Sequence, residues 1–311
     1  MAAPSEAAAH VVWLDLNCSW SHASLALPSL HAAAGLPSNW IAVSGTIKED
    51  PNQLVSRILA EKPTLLLGTL YLFTRDAMLD VIRRAKAILP DLTVILGGPE
   101  CLGNNRTFLG REPAVSALYR GEGEIGIAAL LQATDDRDQW RTIPGICFFH
   151  QDHYHDGGKA KLSREAWLHR ADPMTSPFFD WSKPFIQLET SHGCPFGCKF
   201  CTSCRTGPVV ESPLEEVVRQ LNHAREQGIR HIRLLDRTFN LRPERTVAML
   251  RLFREDYSDL HIHLEIHPSL MPSDVRAELQ AAPAGQLHLE VGLQSTDPDI
   301  LQASGRSRAA D

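Results

Sequence analysis

The chain has 311 residues, 43% apolar and 22% charged, enough for one large or two ordinary domains and too apolar for a disordered polymer. Lys and Arg number 31 against 37 Asp and Glu, a formal net charge of -6 that disfavours a general nucleic-acid-binding surface and leaves only a local RNA groove open. The longest apolar runs, such as Thr64–Gly68 and Leu92–Gly97, are strand-length and far from the ~18 residues of a membrane span, and the Ala-rich start has no basic region of a secretory leader.

In chain order, Val11–Asp15 reads as a buried strand and Ser21–Ala34 as a helix stopped by Gly35. Strands follow at Trp40–Ser44, Thr64–Gly68, Leu92–Gly97 and Ala114–Tyr119. Helices are expected at Asn52–Glu61, Arg75–Leu89 and Ile125–Gln132. This alternation over residues 1–135 predicts a doubly wound, Rossmann-like parallel sheet with helices on both faces. Ligands of such sheets bind outside the carboxyl ends of the strands. Two Gly-rich segments fall there, Gly97-Gly98-Pro99-Glu100 and Arg120-Gly121-Glu122-Gly123-Glu124.

Residues 136–184 break the rhythm and read as a linker or strap, with one strand at Ile146–His150 and a hairpin turn at Asp156-Gly157-Gly158. From residue 185 to 311 the alternation returns. Strands are expected at Phe185–Glu189, Ile232–Leu235, His261–Ile266 and Leu287–Leu293. Helices are expected after Ser212-Pro213, at Pro243–Phe253 and at Ser273–Ala282. Four β/α strands make part of a barrel, so the chain reads as truncated after the fourth.

Seven cysteines, four of them within Cys194–Cys204, make a poor disulfide framework and a good metal site in a reducing compartment, which gives cytoplasmic location as the default. The run Ser191-His192-Gly193-Cys194-Pro195-Phe196-Gly197-Cys198-Lys199-Phe200-Cys201 spaces three cysteines by three residues and then two. Three thiolates on one loop can hold three irons of a [4Fe–4S] cluster and leave the fourth open for chemistry. A zinc site using Cys204, a closed four-Cys cluster and a chance group of structural cysteines are the alternatives; zinc modules carry a second separated pair, which is missing here. Two alternating histidine pairs, His153/His155 and His261/His263, read as strand or hairpin residues, because neither has further ligands at suitable spacing.

The cysteine run resembles the radical S-adenosylmethionine (SAM) superfamily signature, Cys-x-x-x-Cys-x-aromatic-Cys. The resemblance implies that Cys194, Cys198 and Cys201 ligate the cluster and that Phe200 lies near the adenine of SAM. It also implies that reduction of bound SAM yields a 5′-deoxyadenosyl radical. Cys204 falls outside the pattern. Many members carry Gly-Gly-Glu at the end of the second barrel strand. This chain has Asp236 there, in Asp236-Arg237-Thr238-Phe239-Asn240, as the natural substitute facing the SAM amino group. Glu265 and Gln294, at the third and fourth strand ends, are the other expected SAM or substrate contacts, with an ordinary strand-end hydrogen bond as the alternative for each.

The two Gly-rich segments resemble the cobalamin-binding domain that precedes many radical SAM barrels. They imply corrin or nucleotide-tail contacts for Gly97, Gly98, Pro99, Gly121, Glu122 and Gly123. With Asn17, Ser21-His22-Ala23-Ser24-Leu25 and Asp236–Asn240, the chain resembles the cobalamin-type subgroup carrying a DUF4080 domain. The Asp-x-His-x-x-Gly motif that supplies an axial His to cobalt is absent, and His22 lacks its Asp and Gly. The resemblance implies a partial radical SAM β/α barrel and the cofactors [4Fe–4S], SAM and cobalamin. It also implies an external electron donor such as flavodoxin or ferredoxin, an unknown substrate and no membrane. Methyl transfer to an unactivated carbon is the leading reading. Cobalamin-linked radical rearrangement or oxidation, and a non-catalytic cofactor-binding fragment, are the others.

Overall fold

The computed structural model describes residues 9–133, 136–203 and 208–306, in two units divided between Asp180 and Trp181. The first unit carries a seven-stranded sheet. Its strands are β1 (Val11–Asn17), β2 (Trp40–Thr46), β3 (Leu65–Thr69), β4 (Thr93–Gly97), β5 (Ala117–Tyr119), β6 (Ile146–His150) and β7 (His153–Asp156). The order is β2-β1-β3-β4-β5-β6-β7. The first five run parallel and the last two antiparallel.

Strand periodicity explains why this sheet is covered on both faces. Val12, Leu14, Leu66, Val94 and Leu96 enter one core with Ile58, Met78 and Ile82 from helices. Their neighbours Val11, Trp13, Leu65, Leu67 and Ile95 enter a second core with Leu27, Ile127 and Leu130. Alternate residues point to opposite faces, so a run apolar at every position needs helices on both. Cys101 and Cys147 are buried in the first core, and burial pushes the Cys101 thiol up to about 12, which leaves it inert.

The structure differs from the sequence reading in three places. Residues 146–156 are no strap: β6 and β7 complete the first unit's sheet, because Ile146, Cys147 and Phe148 are fully buried against its cores. Their turn is Gln151-Asp152, both at positive φ (48° and 64°), a two-residue hairpin turn built without glycine. Asp156-Gly157-Gly158 follows β7 instead, and the Gly157 N–H donates to Ile146 O. The first helix begins at Ala26 rather than Ser21.

The second unit holds β8 (Ile186–Leu188), β9 (Ser191–His192), β10 (Val210–Glu211), β11 (His231–Leu234), β12 (His261–Ile266) and β13 (Leu287–Val291). Four of these form a parallel sheet in the order β13-β12-β11-β8, and β9 and β10 form an antiparallel pair. Among the described residues this sheet is an open β/α array, not a closed barrel. One face is apolar. Ile186, Leu188, Ile232, Leu234, Ile262, Leu264 and Ile266 are buried with Val217, Leu221, Met249, Leu250, Phe253 and Val275 from the helices Leu214–Glu226, Pro243–Asp256 and Ser273–Ala281. The opposite face carries His231, Arg233, His261, His263, Glu265, His288 and Glu290.

Candidate functional site

The cysteine loop leaves the carboxyl end of β8 and is gripped at its foot. Asp236, 2% exposed just past β11, accepts hydrogen bonds from the Thr190 N–H (2.7 Å), the Thr190 hydroxyl (2.6 Å) and the Ser191 N–H (3.0 Å). Burial pushes the Asp236 carboxyl up, and these donors pull it back down. Arg245 adds a second clamp, donating to Ser212 O (2.8 Å) and Thr190 O (3.2 Å). Gly193, at φ 95°, then turns the chain into the loop with a backbone conformation that glycine adopts without cost.

Cys194 and Cys198 are buried and Cys201 is half-buried. Burial pushes the Cys198 thiol up, Arg306 pulls it back, and Cys201 and Cys194 push it further, so both lie within electrostatic reach of Cys198. The Cys201 N–H donates to Cys198 O (3.1 Å) and the Lys199 N–H to Ser304 O (2.9 Å). Phe196 stacks on His267 at 4.7 Å, and Arg306 Nε stands 3.3 Å from His267 Nε2. Phe200 is 54% exposed, a ring left open to a ligand. Among the described residues, no three His, Cys, Asp or Glu side chains converge on a single metal ion. Three thiolates on one loop suit a cubane, which takes one thiolate per iron. Cys204 lies outside the described residues.

The other positions named from the sequence fall as follows. Asp236 directs both carboxylate oxygens into the loop's foot. Asn240 likewise works inside the fold: its side chain accepts from the His267 N–H (2.7 Å) and donates to His267 O (2.9 Å). Glu265 is half-buried on the polar sheet face, its carboxyl pushed up by burial. Gln294 sits three residues past the end of β13 at φ 64°. The Phe196–His267 stack and the Thr190/Ser191 donors escaped the sequence reading. Thr190-Ser191 directly before the cysteines was the one local signal for them.

In the first unit, Gly97, Gly98, Pro99, Gly121, Glu122 and Gly123 all line one cavity of about 250 Å3 at the carboxyl ends of the parallel strands. The strand order reverses between β1 and β3, the kind of crevice where open α/β sheets bind ligands. Trp13 and Tyr119 share its wall, and among the described residues neither the indole Nε1 nor the phenol has a hydrogen-bond partner. Burial pushes the Tyr119 phenol up, so it stays a donor. The space is smaller than the ~300–1,000 Å3 pockets that enclose drug-sized ligands. The enclosed space has the scale of a small flat group, and the rest of the crevice is open to solvent.

The glycines correct one expectation. A Cβ on Gly98 (φ 101°) would stand 2.6 Å from Thr69 Cγ2, and one on Gly121 (φ 107°) 2.1 Å from Ala160 O. Both are demanded by the chain's own packing. Gly97 alone of the three has room, its nearest neighbour being Tyr119 O at 3.8 Å. His22, considered for cobalt, is exposed, with Nδ1 2.9 Å from Ser19 Oγ.

The family comparison decides the second unit, because the radical SAM superfamily model matches residues 188–311. Over that stretch the chain resembles a radical SAM domain. Its match begins at Leu188, the last residue of β8, and takes in the cysteine loop and β11 to β13. The radical SAM domain and the unit before it together resemble longer proteins. "Uncharacterized methyltransferase PH0819" of Pyrococcus horikoshii is 26% identical over 252 residues, 75% of this chain and 52% of that protein. "Cobalamin-dependent radical SAM methyltransferase TokK" of Streptomyces tokunonensis is 21% identical over 266 residues, 79% of this chain and 38% of that protein. The chain thus spans about half, or less, of these relatives. Among solved structures, the radical S-adenosylmethionine methyltransferase TsrM of Kitasatospora setae, with cobalamin and a [4Fe-4S] cluster bound, superposes with a TM-score of 0.70 at 18% identity. It covers 94% of this chain and 60% of its own. The cobalamin-dependent radical enzyme OxsB gives 0.72 at 14%, covering 96% and 46%. These likenesses establish a shared fold. No helix among the described residues is long and apolar enough to cross a membrane.

Proposed function

We propose that this chain holds a [4Fe–4S] cluster through Cys194, Cys198 and Cys201 and belongs to a cobalamin-dependent radical SAM methyltransferase acting on a substrate outside present reach. The observation that carries the reading is the gripped loop with three cysteines at the carboxyl end of a parallel β/α sheet, Cys194 and Cys201 both bearing on the Cys198 thiol. When bound, the cluster supplies the electron that cleaves SAM, and cobalamin supplies a transferable methyl group.

The chain's residues do the rest. Asp236 and Arg245 hold the loop's foot, so the thiolates are presented without a search through loop conformations. The Phe196–His267 stack and the Lys199–Ser304 bond pin its far side. Phe200 presents an aromatic face for the adenine of SAM. Glu265, half-buried and biased towards its neutral form, is placed to exchange hydrogen bonds with SAM or substrate. The cavity beside Gly97 takes the corrinoid's nucleotide tail, with the Trp13 and Tyr119 donors meeting its polar atoms. The DUF4080 subgroup, cytoplasmic location and a flavodoxin or ferredoxin donor accompany this reading.

The test is anaerobic reconstitution. The protein is expected to bind about four irons per chain and to give a reduced-cluster EPR signal that shifts on adding SAM. Replacing Cys194, Cys198 or Cys201 by Ala abolishes the signal, and Cys204→Ala leaves it intact. Loss of the cluster on Cys204→Ala alone would sink the open-iron assignment.

A further inference from the structure

The alternating pair His261/His263 has no metal-ligand partners nearby in sequence, and β-sheet register supplies them. In the parallel pairing, His261 lies opposite His231, and His263 lies between Arg233 on β11 and His288 on β13. The strand period of two turns all these side chains to the face away from the helices. Four imidazoles therefore share one wall of a cavity of about 500 Å3 within the radical SAM domain, away from the cysteine loop in sequence.

We infer that His263 and His288 form a binding site for a divalent, imidazole-preferring cation of the Zn2+ class, with water completing the coordination. The two Nδ1 atoms face each other at 3.0 Å, with the rings nearly perpendicular at 81°. Two imidazoles each bonded at ~2.0–2.1 Å to a tetrahedral zinc have nitrogens roughly 3.3 Å apart, so a cation needs only a few tenths of an ångström of opening. Glu290 provides the outer support that ligating histidines require. Its Oε2 is 3.2 Å from His263 Nε2, where it competes with Arg233 Nη2 at 3.4 Å; with the proton on Nε2 and shared with Glu290, the Nδ1 lone pair faces His288. The same carboxylate takes up the charge of Arg233 at 3.1 Å, so the guanidinium does not face the cation uncompensated. His288 is exposed, so its ring can turn to meet an ion. Among the described residues no third side chain converges with them, so the protein supplies two ligands, and the open cavity has room for the waters.

This inference stands apart from the cluster reading, and its test removes the thiolates. The full chain with Cys194, Cys198 and Cys201 replaced by Ser is titrated with Zn2+ by calorimetry, with circular dichroism as the check on folding. One Zn2+ per chain is expected. His288→Ala, at an exposed position, weakens it at least tenfold, and Glu290→Gln weakens it several-fold by freeing the His263 ring. The pair His263→Ala with His288→Ala shows no saturable binding. If the triple-Ser chain does not fold, the cysteine-containing chain is titrated with Co2+, whose thiolate charge-transfer absorption separates the loop from an imidazole site. No saturable Zn2+ binding in the parent, or equal affinity in the double histidine variant, overturns the proposal.

Discussion

Asp236 shows how one side chain is assigned by its neighbours. Two backbone N–H groups and a hydroxyl at the foot of the cysteine loop converge on a carboxylate that is almost completely enclosed. Removing both acceptor oxygens with Asp236→Ala strands two buried N–H donors, each costing about 1–3 kcal/mol, so the variant is expected to lose roughly 2–6 kcal/mol of stability and most of its iron. Asp236→Asn retains an amide oxygen for the two N–H groups and turns its NH2 to the Thr190 hydroxyl, which can accept. It should melt close to the wild type and load iron. Denaturant titration and iron analysis of the two variants check this. If Asp236→Asn instead abolishes SAM binding while stability is unchanged, the carboxylate's charge faces SAM and the loop-holding role fails.

At the scale of elements, the turns after β4 and β5 serve the fold and the cavity together. Gly98 is in the left-handed region with its Cβ direction blocked by Thr69 and Leu70, so Gly98→Ala is expected to cost about 1–3 kcal/mol whether or not a corrinoid binds. Gly97 has space ahead of it. Gly97→Leu should leave the melting curve nearly unchanged and fill the cavity, cutting hydroxocobalamin uptake at least tenfold in a spectroscopic titration. Equal uptake by Gly97→Leu and wild type would remove the nucleotide-tail assignment. On the second sheet, Phe253 is the large side chain buried between the helix Pro243–Asp256 and the sheet. Phe253→Ala is expected to lose about 3–5 kcal/mol, read from a shift in urea midpoint.

Across the molecule, the groups shifted most informatively by the fold lie in the radical SAM domain. Burial, and then Arg306, hold the His267 imidazole below its ordinary 6.5. A base with a depressed folded value is protonated first in the unfolded chain. Its contribution to stability is therefore present above the unfolded value and is lost as pH falls below 6.5. Glu265 and Asp236, pushed up by burial, act with the opposite sign, since they favour folding when protonated. Glu278, held down by Arg251 and Arg254, loses its contribution only at lower pH, below the ordinary carboxylate range. Between pH 7 and 5 the thermal midpoint of wild type is thus expected to fall more than that of His267→Asn. Parallel curves for the two proteins would exclude His267 as the source.

How much was legible in the sequence follows from the range of each interaction. The all-apolar runs at 64–68 and 92–97 announce strands covered on both faces, because period two leaves neither side polar. The spacing of Cys194, Cys198 and Cys201 is likewise a local fact, since a single loop carries every ligand. The Gly-rich strand ends were found, but the reason for them was not. Gly121 is required by Ala160, 39 positions away, and no local pattern carries that contact. Asp236 was read as a ligand contact because its partners, Thr190 and Ser191, reach it only once β8 and β11 pair. The hairpin joining β6 and β7 turns on Gln151-Asp152, whose positive φ has no glycine to signal it. The histidines on β11, β12 and β13 stand 25 to 30 residues apart in sequence and within a few ångströms in space. Residue types and short spacings determined which chemistry each segment can do. Parallel register, which depends on tertiary pairing of strands separated by whole helices, decided which of those side chains meet.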